Sequence, residues 1–105
     1  MLRIFDLCCE IIEDLNPVLD ELKRKCPHMY DQLERSVTST PQAVAEGSRS
    51  RGKNRQAHYA RGCGSMDESI ATLRIAAIRK YIKPVDQAVI EKMRRVVGTL
   101  TKCSR

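Results

Sequence analysis

Four cations crowd one short stretch of the chain: Arg49, Arg51, Lys53 and Arg55 alternate within residues 47–55, and Arg61 follows a turn or two later. Such a cluster can neutralise several phosphates, and binding of that kind falls steeply with salt because it releases counterions. The competing reading is a solvated, mobile surface loop. A second group, Lys92, Arg94, Arg95, Lys102 and Arg105, lies near the C-terminus. Cations there also suit the negative end of a helix dipole. The chain has one Phe, three Tyr and no Trp, too few platforms for base stacking. Any nucleic acid would therefore be held by its phosphates, as structured RNA or duplex, with little regard for sequence.

Other reactive groups lack partners. Glu46 and Glu68 could be an acid/base pair, but no nucleophile accompanies them. A structural ion pair with Arg35, Arg49 or a neighbouring subunit is the expected role. Cys26 and His28, with Cys8 or Cys9, offer sulfur and nitrogen ligands at a spacing that matches no usual zinc pattern. His58 with Cys63 would need a low-pKa thiolate. Cys63 falls on an apolar seam, which points to core packing. No catalytic residue, metal or cofactor is expected, and the chain reads as non-enzymatic.

The 105 residues leave room for one domain, residues 1–105. A 42% apolar fraction is too high for a disordered chain. No stretch approaches a membrane span. Asp6 arrives before a secretory apolar core can form, so no export signal and no membrane contact are expected. Five cysteines, an odd number without a Cys-x-x-Cys pair, fit reduced thiols in a cytoplasmic protein. The net charge of +6 is uneven. Residues 1–34 hold four basic and eight acidic residues, and residues 35–105 hold fifteen and five. That split fits a nucleic-acid face or self-association of unlike patches.

Helices must position these groups. Ile4, Cys8, Ile11, Leu15, Val18 and Leu22 step by four and three, the spacing of a helix packed on other helices. The same rhythm runs through Tyr30, Leu33, Val37, Thr40, Val44 and Gly47, then Tyr59, Cys63, Met66, Ile70, Leu73 and Ala77, then Val89, Met93, Val96 and Leu100. The spacing predicts helices over about 2–25, 28–47, 54–81 and 84–103, with kinks at Pro17 and Pro41. Ser36, Ser39, Thr40, Ala43 and Gly47 give the second helix a small face that admits a close neighbour. Gly62 and Gly64 imply tight packing or a local irregularity in the third. Ile12, Leu19, Ile75, Ile78, Ile90 and Val97 lie off the seams, as a wider core stripe or a second contact surface. Short connections make this an all-α, antiparallel up-down four-helix bundle.

Residues 32–47, from Gln32 to Gly47, resemble the signature Q-L-x-R-A-x-x-S-I-P-x-N-I-A-E-G of the four-helix-bundle proteins encoded in bacterial 23S rRNA intervening sequences. Gln32, Leu33, Arg35, Ser39, Pro41, Ala45, Glu46 and Gly47 match, with Val44 replacing Ile. Gly64, Ser65 and Glu68 resemble the family's later G-S-x-x-E. The resemblance covers about residues 5–100. Departures include Ser36 for Ala, Ala43 for Asn and Ser69 for Leu. The resemblance implies a small cytosolic bundle with no enzymatic activity, assembling as a pentameric ring. It also implies a structural or oligomer role for Arg35, Ser39, Pro41, Glu46, Gly47, Gly64, Ser65 and Glu68. Relatives are basic accessory proteins of the reverse transcriptase of diversity-generating retroelements, so nucleic acid and that polymerase are the implied partners.

Together these observations point to a non-enzymatic homo-oligomer, its acidic first third facing the basic remainder of a neighbour, that binds structured RNA through Arg49, Arg51, Lys53, Arg55 and Arg61. The alternative is a scaffold or adaptor for another protein, with no nucleic-acid ligand.

Overall fold

A computed structural model describes residues 2–105. Four helices follow one another: α1 (Leu2–Lys25), α2 (Pro27–Ser48), α3 (Gly52–Ile78) and α4 (Gln87–Cys103). No strand occurs among the described residues. Each helix packs on the one before it, and α4 returns to α1. The backbones of the diagonal pairs α1–α3 and α2–α4 do not approach each other, so the four helices form a closed ring around one core. The bundle measures 42 × 24 × 19 Å. Its long axis matches the roughly 40 Å of a 27-residue helix, the length of α3.

The predicted seams supply most of the core, although Val18, Tyr30, Cys63, Ile70, Ala77 and Val89 on them are only partly buried. Ile11, Leu15, Leu22, Leu33, Val37, Val44, Met66, Leu73, Met93, Val96 and Leu100 are sealed from solvent. Of the apolar residues off those seams, Leu19 is buried, and Ile12, Ile90 and Val97 pack partly against the core. Ile75 and Ile78 face outward. Pro17 and Pro41 lie inside continuous helices, where each deprives the carbonyl four residues earlier of its usual donor. Cys8 is buried, which pushes its thiol up to about 12 and makes it a core residue.

Helix ends have local causes. Pro27 opens α2, where its missing N–H is no loss, and a single residue, Cys26, separates α1 from α2. Asp86 accepts from the Ala88 amide at 2.9 Å and caps α4. The last helix therefore starts at Gln87 rather than 84. α3 stops at Ile78 rather than 81 because Lys80 turns left-handed, at φ 64°. The amides of Tyr81 and Lys80 then reach back to the carbonyls of Ala76 and Ala77, each at 3.0 Å. This is a Schellman closure, which favours glycine at the left-handed position. Lys80→Gly is expected to stabilise the fold by about 0.5–1 kcal/mol. A thermal melt checks it, with a rise of about 4 °C or more for a full kcal/mol. An unchanged midpoint would mean that the lysine pays no conformational penalty there.

α2 and α3 make the broadest contact. Their pairs run in opposite chain directions along one seam. Ser36 Oγ lies 2.7 Å from Ser69 Oγ, and Ser39 Oγ donates to Ser65 Oγ at 2.5 Å. A Cβ on Gly62 would stand 3.2 Å from the Ala43 Cβ and 3.3 Å from Leu100 Cδ1. Gly47 lies under the ring of Tyr59. The small face of α2 thus does what its composition predicts. Gly62 is a packing glycine, while Gly64 is exposed with open space around it. Such a glycine costs a helix about 1 kcal/mol relative to alanine, and nothing within the chain offsets it.

Candidate nucleic-acid interface

The basic segment is not the long loop its composition predicts. α2 continues through Ser48 and α3 begins at Gly52, so the connection is Arg49, Ser50 and Arg51 alone. The α2 end holds it closed. The Ser50 amide donates to the Gly47 carbonyl at 3.1 Å. Arg55 Nε donates to the same carbonyl at 3.2 Å and to the Ser50 carbonyl at 2.8 Å. Arg55 therefore adds a second donor to the Gly47 carbonyl and pairs the Ser50 carbonyl of the connection. Gly52 takes φ 57°, a left-handed conformation that glycine adopts without strain and that turns the chain into α3.

Arg49, Arg51 and Lys53 are exposed and make no ion pair among the described residues. Arg51 is the N-cap of α3 and supplies no side-chain cap, and the first turn holds no acid. The amides of that turn lack helical acceptors and sit at the positive end of the helix dipole. Two cations at a helix N-terminus oppose the dipole. Arg49, the C-cap of α2, is favoured by that helix's dipole, and Arg55, on α3, reaches its guanidinium back to the same end.

Arg61 is placed differently. Its Nη2 donates to Glu46 Oε1 at 2.9 Å, and His58 Nδ1 lies 3.8 Å from the other carboxylate oxygen. Arg61 Nη2 also lies 3.4 Å from His58 Nδ1. The expected partners of Glu46, Arg35 and Arg49, are not its partners within the chain. Arg35 instead reaches the Asp31 carbonyl of its own helix at 3.4 Å. The reason is distance along the axis: Arg35 lies three turns, roughly 16 Å, down α2, whereas antiparallel pairing lays Arg61 across from Glu46. Glu68 is exposed and makes no ion pair among the described residues.

The C-terminal cations divide as well. Lys92 bridges α4 to α1, at 2.6 Å from Glu10 and 2.7 Å from Asp14. The Asp14 and Glu10 hydrogen bonds raise its pKa above the ordinary lysine value. Part of the acidic first third is thus paired inside the chain rather than with a neighbour. The end of α4, however, comes to the basic pole, because the Arg105 carbonyl accepts from Gln56 Nε2 on α3 at 2.7 Å. Lys102 and Arg105, distant in sequence from residues 49–55, therefore share that end of the bundle. Antiparallel topology alone signals this, since α2 and α4 finish at the same end.

The two motif segments also meet. Ser39 of the first bonds Ser65 of the second, and two of the departures, Ser36 and Ser69, bond each other. Pro41 is buried, and Gly47 is buried in the same seam, under Tyr59. A further departure, Ala43, is fully buried beside Gly62, a site too tight for an asparagine. Cys63 is half-buried, its thiol 3.2 Å from Thr101 Oγ1. Among the described residues no three His, Cys, Asp or Glu side chains gather into a metal-binding group. No helix among them is long and apolar enough to cross a membrane. Compared with known proteins, the chain matches no family model, no curated protein and no solved structure, so the family resemblance rests on the α2 and α3 motifs themselves.

Proposed function

We propose that this chain is a non-enzymatic, homo-oligomeric four-helix bundle that binds structured RNA by its phosphates at the α2–α3 end. One observation carries the reading. Arg51 and Lys53 stand at an uncapped helix N-terminus with no acid in its first turn. Helix stability argues against cations there, and an incoming phosphate reverses the sign. Arg49 adds a third unpaired charge, and Lys102 and Arg105 widen the field. Arg61, paired with Glu46, braces the pole and is a secondary contact. A single such pole is a weak site. Repetition in an oligomer, a pentameric ring as the family resemblance implies, raises its avidity. A reverse transcriptase is the protein partner that the same resemblance implies.

The test is retention of structured RNA by nuclease-treated protein across a salt series. With about four phosphate contacts, log K should fall against log salt with a slope near −3.6 on duplex. Affinity would then drop on the order of 100-fold between 50 and 200 mM salt. Salt-independent retention, or none at low salt, would overturn the reading.

A further inference from the structure

A groove at the end of the bundle away from the basic pole differs in character from that pole. It lies between the last turns of α3 and the first turns of α4. Its volume is about 290 Å³, near the lower bound of roughly 300 Å³ for small-ligand sites. The floor is apolar: Leu73 and Ala77 from α3, Ile90 from α4, and Pro84 and Val85 from the connection. Leu73 is sealed, but Ala77, Val85 and Ile90 are only half-buried, so the floor keeps apolar surface that the chain does not cover.

Two arginines rim this floor, Arg74 on α3 and Arg94 on α4. Steps of three and four set Arg74 beside Ala77 and Arg94 beside Ile90 on their own helices. Both arginines are exposed, and neither makes an ion pair among the described residues. Among those residues no acid lines the groove, and Gln87 is its remaining polar side chain. Glu91, three residues before Arg94, is not part of the lining. The groove on the other side of the same connection is built oppositely, with Asp14, Glu21 and Asp86 around Lys83. Two cations facing one groove repel each other until an anion neutralises them.

We propose that this groove binds a small monocarboxylate with an apolar body. The body covers Ala77, Val85 and Ile90 above Leu73, and the carboxylate accepts from the guanidinium groups of Arg74 and Arg94. A planar guanidinium fork matches the two oxygens of a carboxylate. Exposed ion pairs alone hold little, so the apolar contact retains the acid and the arginines select it. A bare phosphate, and with it an RNA backbone, gains nothing from the floor. The site is also remote from the basic pole, because Lys53 and Arg74 lie about 32 Å apart along α3.

Octanoate is the probe, titrated into RNA-free protein and followed by NMR of the Leu73, Val85 and Ile90 methyl groups. Those signals should shift and saturate with a Kd of about 1 mM or tighter. 1-Octanol lacks the charge and acetate lacks the body, so each should bind about tenfold more weakly or worse. Arg74→Gln combined with Arg94→Gln should weaken octanoate about tenfold or more, with helical circular dichroism unchanged. Arg95→Gln removes a charge from a neighbouring position outside the groove and should leave octanoate binding unchanged. RNA retention plays no part in this readout, so failure of the RNA reading would leave the proposal standing, and the reverse. No saturable shift, 1-octanol or acetate binding as well as octanoate, an undiminished affinity in the double variant, or equal weakening by Arg95→Gln would overturn it.

Discussion

Replacing Arg49, Arg51 and Lys53 together by glutamate is expected to abolish RNA retention while leaving the bundle folded. Each phosphate contact contributes about 0.9 to the slope of log K against log salt on duplex, so losing three should flatten it by roughly 2.7. Over a fourfold rise in salt, that is roughly a 40-fold difference in how steeply the two proteins lose RNA. Stability should stay close to the parent's, because the dipole contribution lost at Arg49 is offset at Lys53. Lys53 stands in the first turn of α3 without an acid near it. A glutamate there gains about 0.3–1 kcal/mol from the helix dipole. Binding lost with a melting midpoint held or raised separates a ligand site from a structural one. If RNA retention survived, the pole would be a solvated end of the bundle and the scaffold reading would take precedence. Arg55→Glu is a poor substitute in this test, because Arg55 also secures the Gly47 and Ser50 carbonyls.

Gly47→Ala should be the most damaging single-methyl change in the α2–α3 seam. The new Cβ would stand 2.7 Å from Cδ1 and 3.0 Å from Cζ of Tyr59, and closer still to Cε1. Tyr59 is buried, so its ring has little room to retreat. Overpacking of this kind costs about 1–3 kcal/mol. Alanine returns up to about 1 kcal/mol through helix propensity, less near a helix end. The net loss should be about 1–2 kcal/mol, or a fall of about 4–8 °C in Tm for each kcal/mol. Chemical denaturation should show the same loss with an unchanged m-value. In a Tyr59→Ala background the penalty should vanish, since the clashing ring is gone. A Gly47→Ala protein as stable as the parent would mean that α2 and α3 are further apart than the seam implies. The same change at Gly64, where a Cβ meets open space, should stabilise the monomer instead.

Much of the bundle is written locally. Apolar steps of three and four set the number of helices, their phases and most of the core, because helix periodicity couples residues one turn apart and needs no distant partner. The small face of α2 likewise announced the helix that packs closest to it. Composition placed the cations of residues 49–55. It placed them on a loop, however, and the α2–α3 connection is only three residues long.

Other features came only from chain reversal and helix rotation. Glu46 meets Arg61 because antiparallel pairing lays the start of α3 beside the end of α2. Lys92 leaves the basic surface because α4 turns it toward Glu10 and Asp14. Arg105 joins the basic pole because α2 and α4 end together. Ile75 and Ile78 share the apolar character of the core residues around them, yet they face out. A heptad seam determines which side of a helix is buried on its neighbours. It says nothing of the charged rims, where a rotation of a few tens of degrees exchanges one partner for another. The sequence by itself therefore determined the elements and their inward faces. The tertiary structure decided which surface charges are spent on one another and which are left for a ligand.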